Sequence, residues 1–249
     1  MRWFLKMIED DVISSYEVRD AIAREPDKKG FFCGVPQLDE IIEGFETGEL
    51  VVIAGRTGMG KTLLAQTITD QLFKGQINSL WFSYEMTNRQ FLSRFDNLPL
   101  FYMPRILKER ALEWIEKKII EAKENFNCQA VFIDHLHFLI DMAVSQNASL
   151  RIGQIVRSLK TLALKHDIVI FLLCHTTKSQ DKVPSIEILR DSSLIGAEAD
   201  LVLMVWRIED DLKKGEMNLS GVIVEKARRT GAWKKKIKLI KRNGLLEQA

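Results

Sequence analysis

Eight consecutive residues, Gly55-Arg56-Thr57-Gly58-Met59-Gly60-Lys61-Thr62, combine types suited to capturing a triphosphate. Glycines without side chains let successive backbone N–H groups curl around a β-phosphate at the positive end of the helix that follows. Lys61 then reaches the β- and γ-phosphates, and Thr62 ligates Mg²⁺. A glycine turn followed by an exposed lysine is the competing reading, but it does not require the order found here. A β-branched apolar run from Leu50 to Ala54 precedes the loop, and a helical stretch from Leu63 to Leu72 follows it.

Three further apolar runs end in residues able to act on a phosphate held at that loop. Ser79 to Ser83 leads into Tyr84-Glu85-Met86. A carboxylate at a strand end beside a phosphate loop stands where a water-activating base is needed, the alternative being a solvated loop acid. Ala130-Val131-Phe132-Ile133 ends at Asp134, which suits an acid holding Mg²⁺ through water. Ile168 to Cys174 ends at His175, which in the same row could touch the γ-phosphate or could simply be a satisfied polar residue. Near the end of the chain, Arg228 and Arg229 lie in a turn before Gly231. A guanidinium projecting from that turn could stabilise phosphoryl-transfer charge in an adjacent subunit, or could be a solvated turn residue.

The elements that must position these groups follow from the apolar pattern. Repeated strand-then-helix units with polar residues at the strand ends predict an α/β fold with a mostly parallel, doubly wound sheet. Leu201 to Val205 and Gly221 to Glu225 read as two more strands, and the alternating Lys236-Ile237-Lys238-Leu239-Ile240 as a half-exposed edge strand. Ile152, Ile155, Val156, Leu159 and Leu162 recur at helical spacing, and residues 88 to 127 read as mostly helical scaffold. Residues 141 to 150 and 178 to 185 read as loops. The segment from Gly34 to Phe45 reads as a turn and a short helix ended by Gly44. At the start, Ser14 or Ser15 caps a helix through Ala23, whose narrow apolar face wants a partner on this chain or on a neighbouring subunit.

Composition sets the frame. A chain of 249 residues, 46% hydrophobic and 28% charged, can bury one substantial α/β core or two small ones. A net charge of +2 does not announce a nucleic-acid binder, so any basic surface must be local. Cys33, Cys128 and Cys174 lack zinc or disulfide spacing and read as buried thiols in a reducing cytoplasm. The longest apolar run falls far below the roughly 20 residues of a membrane span. The acidic start, Glu9-Asp10-Asp11, is unlike a signal peptide.

From about Phe31 to the end the chain resembles the RecA-like motor domain of DnaB-type replicative ring helicases, phage and mitochondrial variants included. The resemblance is carried by Gly34-Val35-Pro36 with Leu38-Asp39, Gly-Met-Gly-Lys-Thr at 58 to 62, Phe82-Ser83-Tyr84-Glu85-Met86, the strand ending at Asp134, Leu189-Arg190-Asp191-Ser192 and Ala199-Asp200, in that order. It implies a P-loop ATPase in which Lys61 and Thr62 hold phosphates and Mg²⁺, Glu85 polarises water, Asp134 supports the metal and His175 senses the γ-phosphate. It also implies that Lys226 and Arg228 form a Lys-x-Arg pair acting across a subunit boundary, with Arg229 as the alternative finger. Single-stranded DNA would pass through loops matching 141 to 150 and 178 to 188, making Lys178 and Lys182 candidate backbone contacts.

The expected organisation is an N-terminal arm or linker helix over residues 1–29, a RecA-like ATPase domain over 30–249 and a C-terminal antiparallel hairpin. The expected assembly is a cytoplasmic homo-oligomeric ring, a hexamer, with a separate primase or N-terminal-domain partner. Two other functions compete with the helicase. One is a recombinase-like or regulatory RecA-family ATPase that binds DNA without unwinding it, and the other a nucleotide-gated scaffold or loader.

Overall fold

The computed structural model describes residues 12–24, 30–108, 112–139, 148–176, 192–208 and 219–249. Its centre is an eight-stranded sheet in the order β2-β3-β4-β1-β5-β6-β7-β8. The strands are β1 (Leu50–Gly55), β2 (Asn78–Ser83), β3 (Cys128–Asp134), β4 (Val169–His175), β5 (Leu201–Arg207), β6 (Leu219–Ala227), β7 (Lys235–Arg242) and β8 (Leu245–Gln248). From β2 to β5 all pairings are parallel. From β5 to β8 they are antiparallel.

Buried on both faces, the parallel strands read as continuous apolar runs, and their alternate residues feed two core layers. Leu50, Val52 and Ala54 of β1 pack with residues of helices α5 (Leu112–Phe126) and α6 (Ala148–His166). Val51 and Ile53 join the layer built with α2 (Pro36–Ile42) and α3 (Lys61–Lys74). In that second layer Trp81 stacks on Phe132 at 4.5 Å and Phe132 on Phe171 at 4.5 Å, so neighbouring strands are keyed by rings. The indole N–H of Trp81 donates to Thr69 on α3, 3.0 Å away.

Two expectations about elements change. Lys236 to Ile240 is not an edge: β8 returns through Asn243 (φ 47°) and Gly244 (φ 78°) and pairs with β7. Successive positive φ values are what an Asn-Gly hairpin turn provides. The expected hairpin is therefore a three-stranded ribbon added to β5. Among the described residues of 88 to 127, the helices are α4 (Asn88–Leu92) and α5. Between them Tyr102 exchanges backbone bonds of 2.8 Å with Trp81 and Ser79, and the chain runs along the outer side of β2 and covers that edge.

The helix α1 (Ser15–Ile22) begins at Ser14 in a reciprocal box with Glu17, and none of its residues is buried. The short helix α2 ends with two left-handed residues, Glu43 (φ 56°) and Gly44 (φ 74°). Cys33, Cys128 and Cys174 are buried free thiols. No helix among the described residues is long and apolar enough to cross a membrane.

Candidate active site

The loop between β1 and α3 is shaped by close approach. A Cβ on Gly55 would lie 2.4 Å from the carbonyl oxygen of Val205 on β5, so only glycine fits where these strands meet. Gly58 has φ +78° with open space where a side chain would be, and Gly60, at φ +102°, caps α3. Lys61, the first residue of α3, is 4% exposed. Its ammonium donates to the carbonyl of Arg56 at 3.2 Å and faces Nδ1 of His175 at 3.0 Å. Thr57 Oγ1 lies 3.4 Å from the same nitrogen. Met59 accepts the backbone N–H of Arg207 on its sulfur at 3.4 Å, which ties the loop tip to the end of β5. Burial lowers the Lys61 pKa, opposed by Glu85, Asp134 and Cys174.

The tips of β2, β3 and β4 converge on this lysine. The N–H of Tyr84 donates to the carbonyl of Asp134 at 2.6 Å, joining the first two tips. Thr62 Oγ1 donates to Asp134 Oδ2 at 3.1 Å. The other carboxylate oxygen, Oδ1, is buried without a hydrogen-bond partner among the described residues. Burial first and the Glu85 charge second push the Asp134 carboxyl up to about 6. One ligand atom each from Glu85, His135 and His175 lies within 4.8 Å of the others. The glycine loop, Lys61, Thr62 and Glu85 line a cavity of about 540 Å³ together with Arg94, Arg207 and Lys241. A wider cleft of about 770 Å³, along α5 and α6 at Trp114 and Arg151, collects none of the strand-end residues.

The basic residues near the C-terminus stand apart from this cluster. Lys226 Nζ donates to the carbonyls of Gly196, Ala197 and Ala199 and so caps the end of α7 (Ser192–Glu198). Its pKa is lowered by burial and then by Arg228. Arg228 bonds Asp200 at 2.9 Å and the Ala197 carbonyl at 2.8 Å, with its side chain still 51% exposed. Arg229 folds back onto the end of α2, donating to the Ile42 and Gly44 carbonyls and pairing with Glu43, Glu46 and Glu49. Only Arg228 of the two leaves its guanidinium substantially open. Lys178 and Lys182, and most of both candidate DNA loops, lie outside the described residues.

Three residues to which the residue pattern gives no role belong to this arrangement. His135 follows the strand-end acid directly, its ring 4.2 Å from that of His175 and its Nδ1 3.9 Å from Glu85. Adjacency to Asp134 is its one signal. Arg94 is brought back by the capped turn of α4 and lowers the pKa of Asp134, which no local pattern announces. Asp200 accepts from the Leu50 N–H, Lys160 and Arg228, joining β1, α6 and the turn after β6.

A phosphate loop between strand and helix, acids on neighbouring strand tips and a parallel sheet extended by an antiparallel ribbon define a RecA-like P-loop NTPase domain. The family described as DnaB-like helicase C terminal domain matches residues 30–98 and 104–243, and the chain belongs to that family. A probable replicative DNA helicase of Trieres chinensis is 27% identical over 241 residues, covering 79% of this chain and 53% of that protein. The replicative DNA helicase DnaB of Mycoplasma genitalium is 29% identical over 231 residues, covering 75% of this chain and 48% of its own. The chain thus spans about half the length of these relatives.

Among solved structures, a DnaB-like replicative helicase, studied for its interactions with primase, superposes with a TM-score of 0.78 at 22% identity and covers 99% of this chain and 70% of its own. A second solved structure, itself an ATPase domain, gives 0.79 at 21% identity, covering 96% of this chain and 100% of that one. These likenesses establish the fold.

Proposed function

We propose that this chain is the ATP-hydrolysing motor of a DnaB-type replicative helicase, working on single-stranded DNA at the subunit interfaces of a homo-oligomeric ring, a hexamer. The observation that carries the reading is the convergence of Lys61, Thr62, Asp134, His175 and Glu85 at the carboxyl ends of parallel strands, where Lys61, Thr62 and Glu85 line one cavity and His175 and Asp134 contact the first two. Open space at Gly58 suits a phosphate approaching the backbone. A buried acid oxygen, Asp134 Oδ1, without a hydrogen-bond partner among the described residues suits a hard cation. The residues therefore fit Mg·ATP, with residues 55–61 and Lys61 on the phosphates and Thr62 and Asp134 holding Mg²⁺. When bound, Mg²⁺ supplies neutralisation of the phosphate charge.

The chain's own residues supply position and proton handling. Lys61 is already desolvated, so its ammonium acts on a γ-phosphoryl at far greater strength than in water. Glu85 stands on the last residues beyond β2, where its carboxylate orients a water and accepts its proton. His175 bridges the lysine and the strand row and senses the γ-phosphate. In this reading Arg228 of one subunit completes the pocket of its neighbour, with Lys226 beside it, and Arg229 serves the fold of its own chain. Residues 1–29 form an arm whose helix packs on a neighbouring subunit, and residues 30–249 form the motor. Lys178 and Lys182 contact the DNA backbone, and a primase or N-terminal-domain protein is the partner of the assembled ring.

The test is ATP turnover with and without single-stranded DNA, measured beside solution mass and strand displacement on a forked duplex. Turnover raised by DNA, a ring mass and displacement of the strand are the expected results. Turnover without displacement would favour a recombinase-like or regulatory ATPase. Turnover indifferent to DNA would favour a nucleotide-gated scaffold or loader.

A further inference from the structure

The pairing of His135 with Glu85 and His175 is not needed to hold a triphosphate or Mg²⁺, yet it assembles two imidazoles and one carboxylate at a single point. The ligand atoms of the three residues lie within 4.8 Å of one another, and His135 Nδ1 is 3.9 Å from Glu85 Oε2. Zinc holds nitrogen and carboxylate ligands at about 2.0–2.2 Å. An ion at the centre of this triangle therefore requires each ligand atom to move inward by less than about 1 Å.

Two of the three ligands are already fixed. His135 is 9% exposed, with its ring 5.0 Å from that of Phe138 and 4.2 Å from that of His175. The third can move, because the Glu85 side chain is 33% exposed and follows the end of β2. Pre-set imidazoles with a mobile carboxylate leave little ordering cost for binding to overcome. Ligand type then sets selectivity. Mg²⁺ demands an octahedron of oxygens and gives up its waters reluctantly, whereas Zn²⁺ and Co²⁺ take two imidazoles and a carboxylate readily.

We infer that Glu85, His135 and His175 form a binding site for a zinc-class divalent cation, distinct from the Mg²⁺ position at Thr62 and Asp134. An ion held there takes the Glu85 carboxylate as a ligand and withdraws it from the attacking water. The site is thus inhibitory, a consequence that rests on the function proposed above. Binding itself does not rest on it. No bond is made or broken beyond coordination, since a carboxylate and imidazole nitrogens bind a cation through their lone pairs.

The experiment uses the full, nucleotide-free chain with Co²⁺ as the probe. One equivalent is expected to give the visible absorption of four- or five-coordinate cobalt, displaced by one equivalent of Zn²⁺. Glu85→Gln and His135→Gln should each weaken Co²⁺ binding at least about tenfold, and Thr62→Val should leave the isotherm unchanged. Because Glu85 is partly exposed, its variant reads the site even where the His135 variant does not fold. Absence of the cobalt bands, or bands undiminished in Glu85→Gln, would overturn the assignment. In a second arm, Zn²⁺ added at saturating Mg·ATP should suppress wild-type turnover, and turnover indifferent to Zn²⁺ would overturn the inhibitory role. A chain that binds cobalt as expected but never hydrolyses ATP would sink the ATPase reading and leave the metal site standing.

Discussion

Lys61 carries a charge into a place where charge is costly, and the residues around it explain why it stays. Its ammonium has lost most of its water, which lowers its pKa, while Glu85 and Asp134 restore part of the balance. Such a group is worth most against the charge that develops on a transferring phosphoryl. Lys61→Ala should therefore cut ATP turnover at least about a hundredfold while the chain remains folded. Turnover near wild type would mean that phosphate is not held there. Asp134 makes a complementary prediction. Its folded-state pKa, pushed to about 6, lies above the unfolded value, so the folded chain binds the extra proton between those two values. The sign is then fixed: in EDTA and without nucleotide, this group's contribution to stability is lost as pH rises toward and through about 6. Asp134→Asn should raise stability at pH 8 by on the order of 2 kcal/mol and gain nothing near pH 3. Urea unfolding at the two pH values checks it, and an equal effect at both would show that burial of the charge is not the cause.

Elements carry these side chains, and their part in the design was unevenly legible. The four strand ends at Gly55, Glu85, Asp134 and His175 could be read because a buried parallel strand is a short apolar run whose first polar residue marks its tip. The reversal between β6 and β7 at residues 228–231 was legible too, whereas two other features of the chain path were not. The β7–β8 hairpin hides in an Asn-Gly pair inside a basic stretch, and the strap over β2 at Tyr102 lies within a stretch, 88 to 127, that reads as mostly helical. Asp200 was visible only as part of a family resemblance, because its role is set by contacts to residues 150 and 40 positions away in sequence. Burial makes that role strong. With Asp200 removed, Lys160 loses its counter-ion and keeps only the Gly48 carbonyl, the Leu50 N–H loses its side-chain acceptor, and Arg228 loses one of its two acceptors. Asp200→Ala should cost about 3 kcal/mol in urea unfolding. Arg228→Ala should cost well under half of that, because its guanidinium is half exposed and screened. Equal losses would mean that the network is held from the arginine rather than from the acid. Gly55→Ala tests the loop in the same way: a Cβ 2.4 Å from the fixed Val205 carbonyl must part β1 from β5, lowering both stability and nucleotide affinity.

At the scale of the whole molecule, the question is what Arg228 serves, since the cavity already carries cations of its own. Among the described residues the cavity has Lys61, Arg94, Arg207 and Lys241 on its own chain, while Arg228 points to Asp200 and the end of α7. On the function proposed above, Arg228 serves a phosphate of another copy packed head to tail, and its partial exposure allows it to exchange the Ala197 carbonyl for such a partner. In the assembly proposed above, a heterologous contact of this kind closes into a ring, and α1, with no buried residue of its own, would supply a second surface for the same neighbour. Complementation distinguishes this arrangement from an arginine acting within its own chain. Arg228→Ala and Glu85→Gln chains should each be nearly inactive alone. Mixed one to one before assembly, they should regain turnover, because about a quarter of the interfaces then pair an intact Glu85 with an intact Arg228 from the adjacent subunit. Measuring basal ATPase without DNA keeps the readout at single interfaces rather than around the whole ring. An arginine acting in its own chain gives no such recovery at any mixing ratio, since every subunit then carries one defect in its own pocket. Arg229→Ala chains in the same mixture should report the structural role of that residue, losing stability through the freed end of α2 and gaining no turnover from the Glu85→Gln partner.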